Sequence, residues 1–191
     1  MNENLWESYW NNVDNHDWWL RPAPEVIDLI KSLPPSPKRS LLDLGCGLGR
    51  HAIAFAAAGY SVTATDSSEA AIEYLQKWAQ DLHLSIETRV CTVCEDGFPE
   101  ESFDVVLSYN VIYHGSREQF AQAISHVRKL LKPHGTFFFT CPSRQDGKYG
   151  FGELVAPHTY RCEKSVTPGD IHYFADLEDL DELLKEFNIL K

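Results

Sequence analysis

Strand-like and helix-like segments alternate through the middle of this sequence, and that order limits its fold more than any other feature does. The strand-like runs are 40–44, 61–65, 85–90, 103–109 and 136–140, and helical patterns at 50–58, 70–82 and 117–131 separate most of them. Parallel strands need such crossovers, because a helix must carry the chain back over the sheet. The sequence therefore predicts an α/β fold, a mostly parallel sheet covered by helices.

Two helices and one strand carry clear local signals. Ser116 and Gln119 have the spacing of a capping box, which predicts a helix start. The apolar positions that follow at helical intervals are Phe120, Ile124, Val127 and Leu131. Three consecutive phenylalanines within 136–140 predict a strand that is buried on both faces. Asp176 is expected to cap a last helix. The residues expected to face inward on that helix are Leu177, Leu180, Leu184 and Phe187.

The flanks of the chain depart from the alternation. Residues 1–37 form a helical, aromatic-rich lead-in that ends in the proline-rich linker 34–37, and we expect this lead-in to cover the active site. Residues 38–191 form the main domain. Within it, 142–175 is a long stretch containing glycine and proline, and connections of that length are usually lids or binding loops.

Composition excludes several functional classes. The formal net charge of −11 disfavours nucleic acid as a partner, because phosphate binding needs a basic face. No apolar run approaches the roughly 20 residues that span a bilayer, and the N-terminus lacks a secretory signal pattern. We expect a cytoplasmic protein whose five cysteines are reduced thiols. Cys91 and Cys94 form a lone C-x-x-C pair, which indicates packing rather than a zinc site.

A glycine-rich run, Leu41 to Arg50, lies between the first strand and the first helix of the alternation. Its G-x-G-x-G spacing lets the backbone turn tightly and approach a ligand closely. Arg50 stands where a dinucleotide fingerprint has its third glycine, and the chain contains no phosphate-loop motif. This loop therefore favours a nucleoside without a pyrophosphate.

Asp66 ends the second strand, 21 residues after Gly45. A carboxylate at that position can accept hydrogen bonds from both hydroxyls of a ribose. Asp66 could instead cap the helix that begins near Ser67 or Ser68. Its separation from the glycine loop favours the ribose interpretation.

The chain resembles class I S-adenosylmethionine-dependent methyltransferases from about Ser40 to Thr140. The motifs that carry the resemblance are LLDLGCGLGRHA, TATDSS, ESFDVVLSYNVIYH and LLKPHGTFFFT. They are most similar to the small-molecule branch that includes tellurite-resistance-type and thiopurine-type enzymes. The resemblance implies a Rossmann-like three-layer sandwich with sheet order 3-2-1-4-5. The sequence ends where strand 6 of the family would begin, so either the chain is truncated or its sheet has five strands. If it has five, we expect an exposed edge at the fifth strand and either a homodimer or poor solubility.

The resemblance also implies S-adenosylmethionine as the cofactor and assigns residues to its parts. The residues expected at the methionine end are Arg21, Asp43, Gly45, Cys46, Gly47 and Gly49. Asp66 is expected to bind the ribose, and Ser67, Thr92 and Val93 to border the adenine. Asn110 is expected near the sulfonium.

The methyl acceptor is expected to be a small soluble molecule such as a thiol or a metalloid. A soft nucleophile needs no protein base, whereas an amine or hydroxyl acceptor could use Tyr113 or His114. Packing is an equally good interpretation of His114.

Metal binding is not expected, because the spacing of His158, Cys162 and His172 matches no metal motif. The alternatives are an enzyme of the same fold with other chemistry, such as modification of the cofactor or transfer of another group, and a non-catalytic cofactor-binding module.

Overall fold

A five-stranded parallel sheet carries the fold. The structure, a computed structural model, describes residues 3–12, 17–33, 39–95 and 97–189, so the predicted linker 34–37 lies outside the described residues. The strands of the sheet are β1 (Ser40–Leu44), β2 (Ser61–Asp66), β3 (Ile86–Val90), β4 (Phe103–Ser108) and β5 (Leu131–Phe139). Their order is β3-β2-β1-β4-β5 with every pair parallel, which confirms the predicted topology.

Helices cover both faces of this sheet. They are α1 (Glu3–Asn12), α2 (Pro24–Ser32), α3 (Arg50–Ala57), α4 (Glu69–Asp81), α5 (Arg117–Leu130) and α6 (Leu177–Leu183), with a short 3-10 turn at Asp17–Leu20. Among the described residues, no helix combines the length and the apolar character needed to cross a bilayer.

The central strand shows why the sheet is buried on both sides. Leu41 packs into the core beneath α2, α3 and α4, whereas Leu42 and Leu44 pack into the core beneath α5. All three leucines are fully buried. Successive side chains of a strand point to opposite faces, so a continuous apolar run requires helices on each face.

Side-chain caps position the starts of α4 and α5, and the sequence predicts the second of them. Ser68 caps α4 by accepting a hydrogen bond from the Ala71 amide at 3.2 Å. At α5, Gln119 donates its amide to the Ser116 hydroxyl, and the Gln119 side chain accepts from the Ser116 amide at 2.9 Å. The capping box is confirmed, and the four predicted apolar positions after it are buried.

Two predictions about burial are wrong. The phenylalanines of β5 are only half-buried, because β5 lies at an edge of the sheet instead of between two strands. Phe137 still stacks on Phe139 and reaches Phe187 near the chain's end. Leu177 is 79% exposed at the first turn of α6, while the other three predicted positions of that helical face pack against the core.

Residues 142–175 fold into a small antiparallel sheet. Its strands, in the order β6-β7-β8, are β6 (Glu153–Ala156), β7 (Thr159–Cys162) and β8 (Asp170–Tyr173). Strand β8 is tied to the turn after β4, because the Tyr173 amide donates to the Tyr113 carbonyl at 2.9 Å and the Gly115 amide donates to the Ile171 carbonyl at 2.7 Å. The small sheet is therefore attached to the carboxyl end of β4.

Removing the cap of α5 should cost measurable stability. Ser116→Ala deletes the acceptor of the Gln119 amide, and we expect the free energy of unfolding to fall by about 1 kcal/mol in urea denaturation followed by circular dichroism. Ser125→Ala, at an exposed position of the same helix, is the matched control and should leave stability equal or slightly higher. Equal stability of both variants would show that the Ser116 hydroxyl contributes nothing to the cap.

Candidate active site

The glycine loop follows β1 and is held by the end of β2. The amides of Gly45 and Cys46 both donate to the Thr65 carbonyl at 2.8 Å. Gly45 has a φ of +75°, and a Cβ there would overlap the Val111 side chain. Gly47 has a φ of +53°, and a Cβ there would come within 2.9 Å of the Trp10 ring. Both positions therefore require glycine.

Asp66 connects the glycine loop to the next helix. Its Oδ2 accepts from the Gly47 amide at 2.8 Å, and its Oδ1 accepts from the Ser68 amide at 3.0 Å. Burial raises the pKa of this carboxyl, although its backbone hydrogen bonds act in the opposite direction. The carboxylate thus fixes the loop and the start of α4, and it also lies on the wall of the cavity described next.

A cavity of about 600 Å³ opens at the carboxyl ends of β1, β2 and β4. Most of the predicted site residues line it, namely Gly45, Cys46, Gly47, Asp66, Ser67, Thr92, Val93, Asn110, Tyr113 and His114. Three predicted residues do not line it. Gly49 is the N-cap of α3, Asp43 is buried behind the loop, and Arg21 is exposed.

Asp43 is a buried carboxyl with an unusual environment. It is 1% exposed, and its Oδ2 has no hydrogen-bond partner among the described residues. Burial raises its pKa to about 7, against the opposing effects of a hydrogen bond from the Ala52 amide and the charge of Arg50. This side chain therefore changes charge near neutral pH.

The N-terminal segment closes one side of the cavity with aromatic rings. Trp10 packs edge-to-face against Trp19 at 5.1 Å, and the Trp19 indole donates to the Tyr9 hydroxyl at 2.8 Å.

The Glu7 carboxylate accepts from the Ser68 hydroxyl at 2.5 Å, which attaches α1 to the start of α4. A carboxylate at a helix N-terminus is also favoured by the helix dipole.

Arg50 is a cavity residue that the sequence interpretation missed. Its guanidinium lies 5.5 Å from the Trp19 ring and 5.4 Å from the Tyr109 ring, and it donates to the Arg21 carbonyl at 3.2 Å. Arg21 therefore contributes its backbone here, whereas Arg50 presents a cation to the cavity. The sequence signal that could have identified Arg50 is its position, because it is the first helical residue after the glycine loop.

The far end of the cavity is polar, and its two histidines, His114 and His172, are buried. Asn110 adopts a φ of +60°. Its backbone amide donates a hydrogen bond to the Thr140 hydroxyl, and that hydroxyl donates to the Asn110 side-chain oxygen. The ring of His114 stacks on Tyr113 at 4.3 Å and meets His172 edge-to-face at 4.6 Å. Burial raises the pKa of the Tyr113 hydroxyl far above its ordinary value, so this phenol stays protonated.

Asp170 is a functional candidate that sequence reasoning did not identify, and His172 is one that it considered and set aside. His114 Nδ1 lies 2.7 Å from Asp170 Oδ2, and both side chains are less than 5% exposed. Burial, and after it the nearby His114, lower the pKa of His172 to about 4, so its imidazole is neutral at physiological pH. Because β8 pairs with a segment far away in sequence, no local motif indicates that these residues meet.

Comparisons with known proteins assign the family. A family model described as a methyltransferase domain matches residues 41–135. The ubiquinone biosynthesis O-methyltransferase of Rickettsia akari is 31% identical over 158 residues, which are 78% of this chain and 61% of that protein. The enzyme of the same name from Rickettsia typhi is 31% identical over 189 residues, which are 92% of this chain and 75% of that protein.

Solved structures agree on the fold. An S-adenosylmethionine-dependent methyltransferase from Methanosarcina mazei has a TM-score of 0.71 at 20% identity, covering 87% of this chain and 84% of that one. TehB from Haemophilus influenzae has a TM-score of 0.68 at 22% identity, covering 89% of this chain and 52% of that one.

The sheet order and the place of the glycine-loop cavity are those of α/β proteins in which a nucleotide binds at the carboxyl ends of the strands. The chain belongs to the class I S-adenosylmethionine-dependent methyltransferases, which confirms the resemblance, and its cofactor is S-adenosylmethionine.

The titration of Asp43 should appear in the pH dependence of stability. Its pKa is about 7 in the folded chain, against an ordinary 3.8, so the folded state holds the extra proton between those values. Its contribution to stability is therefore complete below pH 4 and is lost as pH rises through 7. Asp43→Asn should raise the free energy of unfolding at pH 8 relative to wild type by on the order of 2–4 kcal/mol.

Urea denaturation at pH 4.5, 6 and 8 measures this difference. Near pH 4.5 the two proteins should differ least, because most of the Asp43 carboxyl is then protonated in the folded state. Asp81→Asn, at an exposed position, is the matched control and should follow wild type throughout. Parallel profiles for wild type and Asp43→Asn would contradict the assignment of a raised pKa.

Proposed function

We propose that this chain transfers the methyl group of S-adenosylmethionine to a hydroxyl oxygen of a small acceptor. The observation that carries the proposal is the shape of one cavity, in which the glycine loop with Asp66 forms one end and the buried polar group around His114 forms the other. A volume of about 600 Å³ is in the range of small-molecule sites. The names of the two Rickettsia relatives support an oxygen acceptor.

We propose roles for the residues in the cofactor half of the cavity. The loop residues Gly45, Cys46 and Gly47 would hold the methionine end, with Asp43 and Gly49 supporting them from behind. Asp66 would bind the ribose hydroxyls, Ser67, Thr92 and Val93 would border the adenine, and Asn110 would lie near the sulfonium. For the methionine carboxylate we propose Arg50 in place of Arg21, because Arg50 lines the cavity and the Arg21 side chain is exposed.

The reaction is an in-line displacement at the methyl carbon. A lone pair of the acceptor oxygen forms the new C–O bond while the C–S bond breaks and its electron pair stays on sulfur, which leaves S-adenosylhomocysteine. The acceptor oxygen loses its proton during the reaction. Alignment of the two reactants supplies much of the acceleration in a reaction of this kind.

Tyr113 and His114 are the proposed acceptor contacts. Since the phenol of Tyr113 stays protonated, it would donate a hydrogen bond to the acceptor rather than remove a proton. His114 has its Nε2 3.0 Å from the Asn110 carbonyl oxygen, so that nitrogen is already engaged. Tyr113 would therefore orient the acceptor, and His114 would border it without acting as a base.

Two segments are proposed to exclude water from the reaction. Residues 1–37 contribute Trp6, Trp10 and Trp19 to the cavity wall, and 142–175 contribute Lys148, Val166 and His172. Closing a site in this way strengthens its internal electrostatic interactions. Cavity-facing rings also suit a sulfonium, which is attracted to aromatic faces.

A thiol or metalloid acceptor, which the sequence resemblance implies, is the second candidate. Nucleic acid is disfavoured by the net charge of −11. A homodimer through the β5 edge and a cytoplasmic location stay predictions.

Asp66→Asn should weaken cofactor binding. The substitution removes the charge that strengthens hydrogen bonds from the ribose hydroxyls, so we expect affinity for S-adenosylmethionine to fall about 10- to 100-fold in isothermal titration calorimetry. Asp81→Asn is the control for a lost carboxylate at an exposed site and should bind as wild type does. Thermal unfolding of each variant checks that the fold is retained.

Incubation of the wild-type protein with the cofactor and separate small phenols, thiols and tellurite then identifies the acceptor class. Release of S-adenosylhomocysteine with a phenol supports the proposed oxygen acceptor, and release only with a thiol or tellurite would replace it with the second candidate. Cofactor binding without turnover on any acceptor would favour a non-catalytic binding module. Absence of cofactor binding by folded wild-type protein would refute the proposal.

A further inference from the structure

Three buried polar side chains converge at the far end of the cavity. His114 follows β4, and Asp170 and His172 belong to β8. One ligand atom from each side chain can be chosen so that all three lie within 4.8 Å of one another. Asp170 Oδ2 is central, at 2.7 Å from His114 Nδ1 and 3.9 Å from His172 Nε2.

His114 and Asp170 form a close contact between buried side chains. The Asn110 carbonyl can only accept, so the hydrogen bond at 3.0 Å occupies His114 Nε2 with a proton. Nδ1 is therefore the His114 nitrogen that faces Asp170 Oδ2, at 2.7 Å. A contact this short needs either a proton on Nδ1 or a cation bound beside both atoms, and a cation there would also be near His172 Nε2, which lies 3.9 Å from the same carboxylate oxygen.

His172 supplies a second, independent observation. Its side chain is 2% exposed, and neither ring nitrogen has a hydrogen-bond partner among the described residues. A buried nitrogen that is left unpaired costs on the order of 1–3 kcal/mol. Both rings line the cavity, so a ligand entering from the cavity could reach them.

We propose that His114, Asp170 and His172 bind one divalent transition-metal ion of the zinc class. Two imidazole nitrogens and one carboxylate oxygen are a common donor set for such ions, and three protein ligands leave a coordination position open. Here the open position would face the cavity. Mg²⁺ and Ca²⁺ prefer all-oxygen sites and are poor candidates.

The ion would give the proposed methyl transfer a Lewis acid at the acceptor end. Coordination of a hydroxyl lowers its pKa, so the acceptor proton could pass to solvent without a protein base. This role depends on the proposed function, whereas metal binding itself does not. His114 would use Nδ1 as its ligand atom, because its Nε2 is already bonded to the Asn110 carbonyl.

The test uses untagged, chelator-treated wild-type protein titrated with ZnCl₂ in a calorimeter. We expect one site of micromolar or tighter affinity, with MgCl₂ giving no comparable binding. Thermal unfolding should show a higher midpoint in Zn²⁺. A visible spectrum of coordinated Co²⁺ would report nitrogen and oxygen ligands instead of thiolates.

Two variants assign the site. Asp170→Asn and His172→Phe should each weaken Zn²⁺ affinity by about 100-fold or more, because each removes one of three ligands. His172→Phe also removes two unpaired buried nitrogens, so it should stay folded, and its melting midpoint should not rise with Zn²⁺. His83→Asn is the matched control, since it deletes an exposed histidine far from the cavity.

A variant with Cys91→Ser and Cys94→Ser tests the competing thiol pair. Wild-type-like Zn²⁺ binding in this variant supports the proposed site. Loss of binding there, or unchanged binding in both ligand variants, would overturn the inference, as would absence of Zn²⁺ binding by wild type. Titration of the same preparations with S-adenosylmethionine keeps the two proposals separate, because either ligand can fail while the other binds.

Discussion

The hydrogen bonds that tie the glycine loop to the end of β2 are the constraint on which the rest of the site depends. Thr65 accepts from two consecutive loop amides, and the neighbouring Asp66 accepts from a third. These bonds require positive φ angles at Gly45 and Gly47, and they also place the start of α4 through Ser68. One strand end therefore fixes the loop, a helix terminus and the wall of the cavity together.

The two flanking segments use that frame in different ways. Residues of α1 contact the glycine loop and the start of α4, since Trp10 lies against Gly47 and the Glu7 carboxylate accepts a hydrogen bond from the Ser68 hydroxyl. The small sheet instead pairs with the turn after β4, which carries His172 to the ring of His114. The cavity thus has an aromatic side supplied from the N-terminus and a polar end that combines the turn after β4 with His172 of β8.

Features that depend on neighbours in sequence could be predicted, and those that depend on distant pairing could not. The glycine loop, the capping box at Ser116 and the five-stranded order follow from local patterns and from the family resemblance. The strands within 142–175 are short, and this segment has neither helical periodicity nor a glycine-loop motif. The sequence therefore predicts a loop there and not an antiparallel sheet. The roles proposed for Arg50 and His172 depend on aromatic rings and backbone groups from distant parts of the chain, so no local pattern indicates them.

The distribution of tryptophan gives the aromatic wall a practical consequence. Four of the five tryptophans, Trp6, Trp10, Trp18 and Trp19, line the cavity, and the fifth, Trp78, packs half-buried against the core beneath α4. Indole emission depends on the polarity around the ring and on nearby quenching groups. The intrinsic fluorescence of this chain is therefore weighted toward its active site, and it can follow occupancy of the cavity in real time without an added label.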